Sequence, residues 1–84
     1  MTPEELKQAR QMLGLSQRGK GLTQVELGHL IGLSSNSVSR AERGDYAINE
    51  QTAQAVRLLK WIDMMRDIHD VAGIAELLEL VTEG

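Results

Sequence analysis

The 84-residue chain has no cysteine and no phenylalanine, and it holds one proline, one tryptophan and one tyrosine. Without thiols there is no disulfide framework, no thiolate metal site and no cysteine nucleophile. The same lack fits a reducing compartment. No apolar run approaches the ~20 residues that a membrane-spanning helix needs. Thr2, Pro3, Glu4 and Glu5 stand where a signal peptide would carry its basic region and apolar stretch. These absences lead to the expectation of a soluble, cytoplasmic protein. With so few aromatic residues, the core must be built from aliphatic side chains. A chain this short holds one domain, residues 1–84, and buries a limited share of its surface. Its stability is expected to be modest, and a partner subunit would add burial.

Charge is unevenly placed. Residues 1–43 carry six basic and four acidic side chains, whereas residues 44–84 carry three basic and eight acidic ones. The net charge of −3 therefore conceals a positive first half and a negative second half. Local potential decides where a polyanion can dock. The acidic half argues against loose electrostatic coating of nucleic acid but leaves a specific site open.

What is present is helical. Thr2, Pro3 and Glu5 form an N-cap, a proline at the first helical position and the acid of a capping box. Leu6, Ala9, Met12 and Leu13 follow at helical spacing, and Gly14 is a natural stop. A polar, glycine-containing loop, Ser16 to Gly21, comes next. Thr23 with Glu26 makes a second capping box, for a helix whose apolar face carries Leu27, Leu30 and Ile31. Gly32 breaks that helix, Ser34 caps a third, and Gly44 ends it near Arg43. Asn49 caps a longer fourth helix with Ala53, Val56, Leu58, Leu59, Ile62 and Met65 on a broad apolar face. A fifth, with Ile74, Leu77, Leu78 and Val81, begins somewhere after Asp67. No strand pattern or internal repeat occurs. The expected fold is all-α with five helices.

The stretch from Leu22 to Gly44 meets the demands of a helix-turn-helix, two short helices flanking a turn of about three residues. Gly28 lets the helices cross closely, Gly32 makes the turn, and Val38 and Ala41 form the apolar underside of the second helix. On its other side, Ser35, Asn36, Ser39, Arg40 and Arg43 fall within roughly 140° of arc. A merely solvated face usually mixes Glu with Lys, and this one has no acid. Asn and Arg suit bidentate contact with adenine and guanine edges, and short serines let the backbone approach the bases.

The segment resembles the lambda repressor/Cro-like, or XRE, family of helix-turn-helix DNA-binding proteins. The matching residues are Leu22-Thr23-Gln24, Glu26-Leu27-Gly28, Ile31-Gly32, Ser34, Val38-Ser39-Arg40 and Glu42-Arg43-Gly44. The resemblance covers roughly residues 2–62 and implies a lambda-repressor-like domain. It also implies roles. Ser35, Asn36, Ser39 and Arg40 would read bases, Gln24, Ser34 and Arg43 would meet phosphates, and Arg10 with Glu42 would form a structural ion pair. This chain departs from the family pattern where Arg18-Gly19-Lys20-Gly21 intervenes before the second helix. That extra loop is expected to be flexible, with Arg18 and Lys20 near a phosphate.

The fifth helix carries more apolar surface than one small core needs. Residues 2–66 are therefore expected to form a DNA-binding core, and 67–84 a dimerisation element. The expected homodimer interface comprises Trp61, Met65, Ile68, Ile74, Leu77, Leu78 and Val81, and the partner on the other side is double-stranded DNA. The most concrete reading is a dimeric repressor on an inverted-repeat operator. The alternative is an antitoxin-type module that binds a protein partner through its acidic half. His69 between Asp67 and Asp70 is a weak metal pattern, better read as a helix end. No cofactor is implied. No nucleophile is paired with a base, so enzymatic activity is not expected.

Overall fold

Thr2 and Glu5 cap each other's backbone at the start of α1 (Pro3–Met12), the Glu5 amide donating to Thr2 Oγ1 at 3.1 Å and the Thr2 amide to Glu5 Oε1 at 3.2 Å. The capping box read in the sequence is thus formed. The computed structural model describes residues 1–69 and 73–83, the side chains of 67–69, 82 and 83 excepted. Gly14, at φ 76°, ends α1 and opens a single turn, α2 (Leu15–Arg18). Then follow α3 (Gln24–Ile31), α4 (Ser35–Glu42), α5 (Glu50–His69) and α6 (Ile74–Glu83). Among the described residues there is no strand, and no helix is long and apolar enough to cross a membrane.

The five expected helices are α1, α3, α4, α5 and α6, and α2 is an addition. It lies in the segment expected to be a flexible polar loop. Its order has a local cause, because both ends of the turn are glycines in the left-handed region, Gly14 and Gly19 at φ 76° and 75°. Two long-range anchors complete it. Gln17 Nε2 donates to Asp63 Oδ1 of α5 at 2.6 Å, and Gln17 Oε1 accepts from the Ala75 amide of α6 at 3.0 Å. One glutamine thus pins the turn to α5 and caps an otherwise orphaned N–H at the start of α6.

The core is one aliphatic cluster to which α1, α3, α4, α5 and α6 all contribute: Leu6 and Ala9, Leu27, Val38 and Ala41, Val56 and Leu59, and Ile74 and Leu78, with Leu13 and Leu22 from the connectors. Two residues expected on buried faces are instead well exposed. Met12 is 63% exposed and Leu58 57% exposed, because the apolar stripes of α1 and α5 are wider than the faces they bury.

The last helix requires a correction. Ile74 and Leu78, expected at a dimer interface, are buried within the chain itself at 0% and 7% exposure. With α6 packed on α3, α2 and α5, these side chains complete the protomer's own core. Leu80 and Val81 remain exposed on the same helix. The expected interface residue Ile68 lies outside the described side chains, as do those of the Asp67, His69 and Asp70 pattern.

Candidate nucleic-acid interface

Thr23 and Glu26 repeat on α3 the capping box of α1, the Glu26 amide donating to Thr23 Oγ1 at 3.1 Å and the Thr23 amide to Glu26 Oε1 at 2.9 Å. Eight residues later the helix stops at Gly32, where φ is 77° and the Leu33 amide returns to the Gly28 carbonyl at 2.9 Å. This is the six-to-one closure of a Schellman turn. The same closure explains Gly28, since a Cβ there would lie 2.3 Å from the Leu33 carbonyl oxygen. The turn between α3 and α4 is therefore as tight as the sequence implied.

Ser34 caps α4 by accepting from the Ser37 amide at 3.1 Å. Val38 and Ala41 are buried beneath the helix, while Ser35, Asn36 and Arg40 are exposed on its outer face and Ser39 is half-buried beside them. Arg43 follows at the helix end, also exposed. The sequence-predicted reading face is thus one continuous outer surface, with Ser34 exposed at its N-terminal edge.

A part-buried ion-pair network holds this helix. Arg10 of α1 donates through Nε to Glu42 Oε2 at 2.6 Å and through Nη2 to Glu42 Oε1 at 3.0 Å, while Nη1 donates to the Leu22 carbonyl at 2.9 Å. Gln24 Nε2 adds a bond to Glu42 Oε1 at 3.3 Å. The side chains of Arg10 and Glu42 are only 14% and 5% exposed. Glu42 thereby ties the start of α3, the end of α4 and α1 into one unit. Gln24, the expected phosphate contact, opens α3 with its amide fixed at this junction.

The basic segment before α3 divides in two. Arg18, expected beside a phosphate, instead folds onto Glu26, with Nη2 at 2.9 Å from Oε2 and the side chain 16% exposed. Short connection to the α3 cap explains the correction: the guanidinium finds its anion within the chain. Lys20 is exposed and keeps the loop's outward charge. Burial pushes the Glu26 carboxyl up, but hydrogen bonds from Thr23 and Arg18 outweigh it and hold the group below the ordinary carboxylate value. A carboxyl lowered in the folded state stabilises fully above its unfolded pKa, and that contribution is lost as pH falls through the lowered value. Glu26→Gln is accordingly expected to be less stable than wild type at neutral pH. In urea denaturation at a series of pH values, the gap should narrow as the pH drops below about 4. A gap independent of pH would remove Glu26 ionisation from the account.

Two residues of the connector after α4 were not singled out by sequence reasoning. Gly44, at φ 80°, turns the chain back so that the Asp45 amide donates to the Arg40 carbonyl at 3.0 Å. Asp45 Oδ2 then lies 3.1 Å from Arg43 Nη2 and 3.9 Å from Arg40 Nε. The Tyr46 ring centroid sits 5.7 Å from Arg40 Cζ, and its hydroxyl donates to the Ser37 carbonyl at 2.6 Å. The one available signal was a glycine followed by an acid and an aromatic within a few residues of two arginines.

Tight α3–α4 crossing, a capped second helix and an outward polar face on it are the geometry by which a helix enters the DNA major groove. Residues 18–57 match the helix-turn-helix family model. This segment is a lambda repressor-like helix-turn-helix of the XRE type. No curated protein and no solved structure matches the chain. The matched residues run from Arg18 through Arg57, so they include α3, α4 and the first part of α5 and exclude α1 and α6. Helix-turn-helix segments of this type bind DNA.

Proposed function

We propose that the protein is a sequence-specific regulator that binds double-stranded DNA as a homodimer and represses by occupying its operator. The exposed, acid-free outer face of α4, held rigid by the Arg10–Glu42–Gln24 network, carries this reading. In this assignment Asn36 and Arg40 read base edges in the major groove, and Ser35 and Ser39 assist at close range. Gln24, Ser34, Arg43 and Lys20 meet phosphates, where the exposed N-terminus of α3 adds its partial positive charge. A protein seated in the groove excludes others from the same base pairs, so repression needs no further contact.

Phosphate neutralisation has a measurable signature. With Arg43 and Lys20 each meeting a phosphate in both protomers, log K should fall against log salt with a slope of about −3 to −4. Fluorescence anisotropy with a labelled duplex at rising salt measures it. A slope near zero would overturn the phosphate roles.

The dimer rests on surface composition. Trp61 and Met64 are 54% and 56% exposed beside Leu58 on α5, and Leu80 is 70% exposed on α6. Exposed apolar surface of this kind marks an interaction site. Trp61, Met65, Leu77 and Val81 are retained from the expected interface, and Ile74 and Leu78 support it from within the core. The resulting pair would place its recognition helices about 34–36 Å apart, one turn of DNA. Trp61→Glu, at an exposed position, is expected to leave the fold intact and weaken self-association at least about tenfold. Sedimentation equilibrium at micromolar concentration reads this out, and a wild-type monomer there would defeat the dimer.

A further inference from the structure

Arg40 has a long, exposed side chain with rotamer entropy to lose on contacting a base. Two neighbours restrict it. The Asp45 carboxylate approaches from the Nε side, at 3.9 Å, and the Tyr46 ring centroid lies 5.7 Å from Cζ. Both neighbours are themselves fixed. The Asp45 backbone is bonded to the Arg40 carbonyl and its carboxylate accepts from Arg43, while the Tyr46 hydroxyl is bonded to the Ser37 carbonyl. An anion on the Nε side leaves the paired Nη1 and Nη2 groups for a two-point contact such as O6 and N7 of guanine.

The charge of Asp45 sharpens the point. An acid beside a reading face repels a polyanion and lowers affinity for every DNA sequence. A residue placed there weakens general binding while orienting the side chain that discriminates. We propose that Asp45 and Tyr46 are specificity-determining positioning residues that hold Arg40 for readout of a guanine. This rests on the assignment of α4 as the DNA reader.

The test uses the full chain, the duplex it selects from a random pool, that duplex with the Arg40-contacted base pair changed to each alternative, and a mixed-sequence duplex. Asp45→Asn is expected to bind the mixed-sequence duplex about 2- to 5-fold more tightly, and its preference for guanine at that pair should fall by a similar factor. Tyr46→Leu is expected to lose about 2- to 5-fold of the same preference through the missing ring contact. Preference at the other base pairs should not move in either variant. An Asp45→Asn protein that binds all duplexes more tightly by one factor, with guanine preference intact, would reduce Asp45 to a repulsive charge and overturn the proposal. Asp45 is a surface position, so that variant decides the matter even if Tyr46→Leu fails to fold. A wild-type protein with no base preference at all would instead refute the DNA-reading assignment itself.

Discussion

Replacing Glu42 with alanine is expected to cost about 3–5 kcal/mol of folding stability, although Glu42 touches no DNA in this assignment. The Glu42 carboxylate receives Arg10 through two nitrogens and Gln24 through one, at 2.6, 3.0 and 3.3 Å. Its removal leaves the Arg10 guanidinium, on a side chain only 14% exposed in the intact protein, with the Leu22 carbonyl as its remaining partner. An uncompensated buried charge is far more costly than the pair it came from was beneficial. Domains of this size hold about 5–15 kcal/mol in total, so the variant should be largely unfolded at moderate temperature and should lose DNA binding with its fold. Replacing Arg10 with Met and Glu42 with Leu together is expected to recover most of the stability, because no charge is then left buried. Urea denaturation of the wild type and these two variants measures this. A Glu42→Ala protein within about 1 kcal/mol of wild type would show that the pair is effectively solvated.

Arg40→Ala is expected to do the reverse, sparing the fold and damaging recognition. The Arg40 side chain is 51% exposed and its charged neighbour Asp45 42% exposed, so a stability change beyond about 0.5 kcal/mol is not expected. A bidentate base contact is worth about 1–3 kcal/mol of discrimination, which corresponds to a loss of roughly 5- to 150-fold in preference at one base pair. Competition binding with single base-pair variants of the selected duplex reads this directly. The other positions should keep their preferences. An unchanged profile at every position would remove Arg40 from the reading face.

These expectations depend on features that a one-dimensional reading can and cannot reach. The Thr2–Glu5 and Thr23–Glu26 boxes, the stop at Gly32 and the cap at Ser34 lie within a few residues of their partners, so spacing alone reveals them. The resemblance identified Arg10 and Glu42 as partners across 32 residues, and the structure places them 2.6 Å apart. Gln17 had no such guide. Its partners lie 46 and 58 residues away, and an amide that caps a distant helix has no sequence signature. Arg18 looked like a free loop cation because its partner, Glu26, already had a role in the α3 capping box. The apolar residues of α6 were ambiguous for a physical reason. Aliphatic side chains on most of a helix fit a protomer core and a subunit interface equally well, and only packing separated Ile74 and Leu78 from Leu80 and Val81.

Selection of bound duplexes from a random double-stranded DNA pool at physiological salt tests the central claim most directly. The account predicts enrichment of an inverted repeat with half-site centres about one helical turn, 10–10.5 base pairs, apart. A single half-site would keep the reading face and remove the dimer. A pool that emerges without any enriched sequence would contradict the claim that α4 reads DNA.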